Sequence, residues 1–302
     1  MTSSDPPAEK ESLRARLDAA YRRYHRRDHV AGDPLCLIYQ YAAPADREIA
    51  GLVAALLAYG AAPQIIRSAS DALRRLGPSP ATFLRRATPA QIGARMKGFR
   101  HRWTTGQDLA KVLLGVRRML RVYRTLEQSF KAGWLPEHVD YRPALERWVG
   151  RLRSAAGPGG RRLLPDPEKG SACKRWHLFL RWMIRCDGVD PGVWRGWPAA
   201  GLIIPLDVHM ARAARRMGLT RRRAADEKTA VEVTAAFRRL CPEDPTRWDF
   251  ALTRQGMAGA RRKKKGPRRR SLTPTGSFLN NWNIKSSRKG VMSKLGKPAR
   301  SL

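Results

Sequence analysis

Leu202-Ile203-Ile204-Pro205-Leu206-Asp207-Val208-His209-Met210 contains the stretch nearest to a β-strand, and its reading decides the fold. The apolar run from Leu202 to Leu206 is too short and ends at a turn on Asp207, and no alternating segment elsewhere competes. Around it the apolar residues recur at helical spacing. After Asp46, a candidate cap, Ile49, Leu52, Val53, Leu56 and Leu57 follow the i, i+3, i+4 rule of a buried face. Ala50, Ala54, Ala55 and Ala58 would let neighbouring helices close in on it. Gly60 ends that helix, and Pro63 opens another that runs to Gly77-Pro78. Thr105-Gly106-Gln107-Asp108 has the form of a capping box ahead of an amphipathic helix carrying Leu109, Val112, Leu113, Val116, Met119 and Leu120. Further helices are expected over 11–28, 141–153, 172–185, 207–217, 227–240 and 246–257, with a glycine stop at Met217-Gly218-Leu219. The expected fold class is all-α.

At 302 residues the chain suits one large domain or two lobes sharing a cleft. Its formal charge of +35, from 60 basic against 25 acidic residues, favours nucleic acid or an anionic membrane. Membrane is the weaker choice: the longest apolar stretch, Gly51 to Ala62, is far short of a spanning helix, and no signal-peptide segment follows Met1. The expected setting is cytoplasmic and nucleoid-associated. Cys36, Cys173, Cys186 and Cys241 lie far apart without a C-x-x-C pair, which argues against a disulfide scaffold, a zinc site or an iron–sulfur cluster. They read as reduced, mostly buried thiols, and neither metal nor cofactor is expected. Residues 1–9 read as a disordered leader. A composition break falls near 258: the last 45 residues hold fourteen of the basic residues and no acid. This 258–302 segment reads as a disordered basic tail that either grips phosphates nonspecifically or is passive.

Two residues at helix mouths carry candidate chemistry. Lys174 stands in Gly170-Ser171-Ala172-Cys173-Lys174-Arg175-Trp176, where Gly170 permits a tight approach and Ser171 can cap. Free backbone N–H groups at such a helix start suit a phosphate oxygen. At about 100° per residue, Trp176, Phe179, Leu180 and Met183 share one face, and Lys174, Arg181 and Arg185 lie on the opposite one. That second face is either a solvated basic surface or a site. In the first turn the positive helix end disfavours an ammonium, and burial in a cleft would free the amine as a nucleophile. Asp207 is placed to be an N-cap, a role compatible with facing a cleft. An Asp207/His209 metal pair lacks a third ligand nearby in sequence, and His177 and His101 read as polar-surface or phosphate-contacting residues.

Gly170-Ser171-Ala172-Cys173-Lys174-Arg175, Leu202-Ile203-Ile204-Pro205-Leu206-Asp207-Val208-His209 and Arg216-Met217-Gly218-Leu219-Thr220 together resemble the helix-hairpin-helix DNA glycosylase superfamily. With Pro44 to Ala50 and Phe99 to Gly106, they also look like an uncharacterised bacterial domain-of-unknown-function family, over about residues 20–257. Leu164-Pro165-Asp166-Pro167 stands where the superfamily has L-P-G-V-G. The interval of 33 residues between Lys174 and Asp207 is closer to the archaeal 8-oxoguanine DNA glycosylase branch than to endonuclease III-like enzymes. The resemblance implies a two-lobed fold, with a barrel-like lobe over 46–195 that includes the hairpin and a second lobe from 10–45 plus 196–257. It implies Lys174 as the Schiff-base lysine and Asp207 as the essential aspartate. It places Tyr59 and Gln64 near the extruded base, with Gly170, Ser171, Arg175, Arg181, Arg185 and His209 against DNA.

The function so implied is a base-excision-repair glycosylase with abasic-site lyase activity on an oxidised purine, its partner double-stranded DNA with a damaged or abasic nucleotide. A non-catalytic helix-hairpin-helix module binding DNA or RNA is the main alternative, with Lys174 then a phosphate contact. An assembly protein whose basic tail meets an acidic partner is a third.

Overall fold

The computed structural model describes residues 7–264, with side-chain surroundings for 12–256. The expectations for most of the leader and most of the basic tail therefore lie outside the described residues. The described chain is predominantly helical. It runs through α1 (Pro7–Tyr24), two 3-10 segments (Arg27–Gly32 and Pro34–Gln40), α2 (Pro44–Leu56), α3 (Ala62–Leu76), α4 (Pro80–Arg86) and α5 (Pro89–Met96). A two-residue hairpin, β1 (Arg100–His101) with β2 (Thr104–Thr105), precedes α6 (Gly106–Tyr123), α7 (Leu126–Lys131), α8 (Arg142–Ala156) and α9 (Pro158–Arg161). Then come α10 (Lys174–Ile184), α11 (Val208–Arg216), α12 (Glu227–Arg238) and α13 (Asp249–Lys264).

Local chemistry explains most of these boundaries. Pro44, Pro80, Pro89 and Pro158 each occupy the first helical position, where a missing N–H costs nothing. Thr105 caps α6 with the reciprocal Thr105–Asp108 box read from sequence. At the end of α11, Gly218 takes a φ of 74° and Leu219 N–H returns to the Ala214 carbonyl, the expected glycine stop. Leu202 to Leu206 is extended and buried but pairs with no strand. Its Ile204 N–H is satisfied by the Thr234 hydroxyl at 3.0 Å.

Two expectations are corrected. The first helix stops at Tyr24 rather than continuing to Asp28, because the chain turns into the 3-10 segment at Arg27. Asp46 lies inside α2 and caps a different helix: its carboxylate accepts the Ala81 N–H at 2.8 Å, at the start of α4.

Buried apolar residues form two clusters. The larger wraps α2, which is buried from Glu48 to Leu56, and takes in Trp148, Trp176, Trp182 and Trp194. Gly51 lets α10 cross α2 closely, since a Cβ there would sit 2.7 Å from the Met183 methyl. The smaller cluster gathers Leu17 of α1, Ala172, Ile203, Ile204 and Leu206 with Met210, Phe237 and Trp248. Ala172 belongs to the second cluster and Cys173 to the first, so the start of α10 falls on the seam between them.

Candidate lysine–aspartate site

The loop before α10 is held from several sides. Trp176 Nε1 donates to the Pro165 carbonyl at 2.8 Å, and Arg153 pairs with Asp166 at 2.9 Å. Gly170 adopts a left-handed φ of 69°, and its carbonyl accepts the Glu227 N–H at the start of α12. Ser171 forms an isolated bridge with Asp226 and does not cap α10. Cys173 takes the N-cap position instead, in a left-handed conformation (φ 44°) that a residue with a Cβ adopts at a cost. The surroundings thus fix an unfavourable backbone angle directly before Lys174. The hollow beside this turn, lined by Arg142, Glu146, Ser171, Cys173, His177 and Glu227, has a volume of about 10 Å³, room for one water.

Lys174 and Asp207 meet. Lys174 Nζ lies 2.8 Å from Asp207 Oδ2, while Asp207 Oδ1 accepts the His209 and Met210 N–H groups at 2.9 and 2.8 Å. One carboxylate oxygen caps α11, as read from sequence, and the other holds the amine. Burial pushes the Asp207 carboxyl up, but the Lys174 ammonium and the backbone donors outweigh it and hold it below the ordinary value. Lys174 and Asp207 both keep a solvent-facing side, and Val208 and His209 beside them are exposed.

Arg181 and Arg185 correct the reading of α10. Both were expected on an exposed basic face; they are 3% and 5% exposed. Arg181 pairs with Asp190 and Asp249, and Arg185 with Asp187, Asp190 and Asp244. Desolvation works against each guanidinium, but the carboxylates more than compensate and raise both above the usual arginine value. With their donors committed inside the protein, neither reaches a phosphate. His177 and His101, read as surface residues, are also buried, and burial pushes the His177 imidazole down to about 4.

Tyr59 is half-buried and packs against an aromatic ring and a guanidinium. Trp103 stacks on it at 4.7 Å between centroids and 17° between planes, and the Arg175 guanidinium lies 5.5 Å from the ring centroid. The Tyr59 hydroxyl donates to Thr104 Oγ1 at 2.6 Å, which fixes the hairpin. Trp103, stacked on Tyr59, is itself 47% exposed. Arg175 donates to the carbonyls of Leu56 and Leu163, and burial pushes its guanidinium down to about 10. It joins the aromatic ledge to the helix start that carries Lys174. Gln64 sits half-buried in the first turn of α3.

Sequence reasoning passed over Trp103 and Asp249. The available signal for Trp103 was a large aromatic between Arg102 and Thr104, directly before a capping box. For Asp249, 42 residues beyond Asp207, sequence holds no sign of its place beside Arg181.

The described residues thus form a helical protein with a lysine–aspartate pair at the abutting starts of two helices. Residues 33–258 match the family described as a protein of unknown function, DUF2400, and the chain belongs to that family. The comparison with curated proteins found no match, and neither did the comparison with solved structures. Among the described residues no helix is long and apolar enough to cross a membrane.

Proposed function

We propose that the chain is a DNA-repair glycosylase with an associated abasic-site lyase activity, working through a lysine Schiff base in a two-lobed helix-hairpin-helix-like frame. The observation that carries this reading is the 2.8 Å contact between Lys174 and Asp207, brought together from separate helix starts at a surface open to solvent. Arg175, the residue after Lys174, lies over Tyr59, and the exposed Trp103 stacked on that ring offers a surface on which an extruded base can stack. An oxidised purine such as 8-oxoguanine is the proposed substrate.

After its proton passes to water, Lys174 Nζ bonds to C1′ of the deoxyribose while the bond from C1′ to the base breaks. The expelled base takes up a proton from the new C1′-bound ammonium. Breaking of the C1′–O4′ bond, with a proton from water taken up by O4′, leaves a protonated imine between Nζ and C1′, and loss of a C2′ proton to water then expels the 3′-phosphate. Asp207, held ionised, faces the positive charge that builds on the sugar.

Borohydride reduction on duplexes carrying an abasic site or 8-oxoguanine tests the reading. The wild type should yield a covalent protein–DNA adduct. Lys174→Ala should abolish it while retaining binding, and Asp207→Asn should slow base release by roughly 10²–10³-fold. The asparagine can still cap α11 through its oxygen. Persistence of the adduct in Lys174→Ala would remove the nucleophile assignment. Failure of the wild type on every substrate would favour a non-catalytic nucleic-acid-binding module, in which the ion pair is a strut between α10 and α11.

A further inference from the structure

We propose that the edge formed by the C-terminal ends of α3 and α5 and by the β1–β2 hairpin is the surface on which the phosphate backbone of duplex DNA lies. This rests on the nucleic-acid partner of the preceding reading but not on its chemistry. With Arg181 and Arg185 committed inside the protein, the basic surface has to be sought elsewhere. Between Ile49 and Gln107 the chain carries nine basic residues and a single acid, Asp71.

The folded chain draws six of those nine into one continuous strip. Arg74 and Arg75 straddle the Asp71 carboxylate at 2.5 and 2.8 Å. Arg75 then donates to the carbonyls of Arg95 (3.1 Å) and Lys97 (2.7 Å), while Arg95 returns a bond to the Arg75 carbonyl at 3.1 Å. These reciprocal bonds lock the end of α3 to the end of α5. From Lys97 the chain leads within three residues to Arg100 on β1 and then to Arg102 at the hairpin tip. Arg74, Arg95, Lys97, Arg100 and Arg102 are all exposed. Arg102 lies over Gly60, close enough to crowd any Cβ placed there, and its own φ of 52° sets the turn that presents Trp103.

Five of these six cations are arginines, and two of the guanidiniums are held by carbonyls. For those two, little rotamer entropy remains to be lost when a phosphate is bound. A strip of one charge sign with one acid would favour any polyanion, but its aromatic end narrows the choice. Trp103 is the one exposed large aromatic among the described residues. A single-strand path needs a succession of aromatic platforms, whereas one platform at the end of a cationic strip fits a duplex with one accessible base.

The test uses the full chain and an undamaged 30-base-pair duplex, with affinity followed by fluorescence anisotropy against salt. Arg74→Gln/Lys97→Gln/Arg100→Gln removes three cations that donate no inter-helix bond. Its slope of log affinity against log salt should be shallower than wild type by about 2–3, close to 0.9 per lost phosphate contact. Its thermal melt should be unchanged. A matched variant of exposed cations on other elements, Arg16→Gln/Lys131→Gln/Arg239→Gln, should shift the slope by less than 1. Equal loss in both variants would overturn the proposal, since net charge alone would then account for binding. Tighter binding of a single strand or an RNA duplex, with the same loss in the edge variant, would overturn the assignment to duplex DNA. If wild type forms no borohydride adduct yet the edge variant still loses its salt slope, the glycosylase reading fails and the duplex-binding edge stands.

Discussion

Asp187 and Asp249 serve the same pair of buried arginines yet respond to pH with opposite sign. Burial pushes the Asp249 carboxyl up to about 6, against the pull of Arg181 and with the Asp207 charge adding to the rise. Burial also pushes Asp187 up, but the His25 hydrogen bond, the Arg185 charge and the Asp190 N–H prevail and hold it well below the ordinary range. An unfolded aspartate titrates near ~3.9. Between that value and about 6 the folded chain keeps a proton on Asp249 that the unfolded chain has lost, so this contribution falls as pH rises. Asp187 contributes in full above the unfolded value, and its contribution is lost as pH falls below it. Urea midpoints measured from pH 3 to 7 should show Asp249→Asn without the decline between pH 4 and 6, and Asp187→Asn flattened below 4. An unchanged decline in Asp249→Asn would place the proton on another group. Lys174 and Asp207 were legible in the sequence because helix starts have local signatures. The true setting of Arg181 and Arg185 was not, since their partners come from the 187–190 turn, Asp244 and Asp249.

Helix α2 shows how one element organises others. Its first turns carry two buried carboxylates that cap helices elsewhere: Asp46 on α4, and Glu48 on the Leu126 and Glu127 N–H groups at the start of α7. Glu48 also accepts Trp194 Nε1 at 2.7 Å. Burial raises the Glu48 carboxyl, and these three donors oppose the rise. Each donor would be stranded without it, at a cost of ~1–3 kcal/mol apiece. Glu48→Leu should therefore destabilise by about 3 kcal/mol or more in urea unfolding. Glu48→Gln, which keeps an acceptor oxygen, should cost less, and Asp46→Ala about 1–2 kcal/mol. Equal losses for Leu and Gln at 48 would show that volume, not capping, sets the energy. The apolar spacing of α2 predicted its buried face, and its alanines predicted close approach. Which distant helix each acid caps is a tertiary fact, separated by 35 residues for Asp46 and 78 for Glu48.

At the scale of the whole molecule, the buried charges tie together segments that are far apart in the chain. His25, just beyond α1, bonds to Asp187; Arg185 joins Asp187, Asp190 and Asp244; Arg181 joins Asp190 to Asp249 at the start of α13. The helical class and most helix positions could be read from periodicity. This cross-linking could not, because a buried guanidinium and a solvated one are the same letter in the same helical register. Removing one partner from such a network leaves the others charged, buried and uncompensated, which costs ~3–5 kcal/mol. Arg185→Met should lower stability by that order and should release amide protection near the end of α1 and the start of α13 together, measured by hydrogen exchange. The loss should exceed that of Arg74→Gln several-fold, since the Arg74–Asp71 pair is largely solvated and exposed pairs contribute ~0–1 kcal/mol. Replacing Arg181 and Asp249 together by Met and Leu should cost less than Arg181→Met alone, because the acid stranded by the single change is removed with it. A double variant as damaged as the single would mean that Asp249 is needed for packing at the head of α13 rather than for balancing charge.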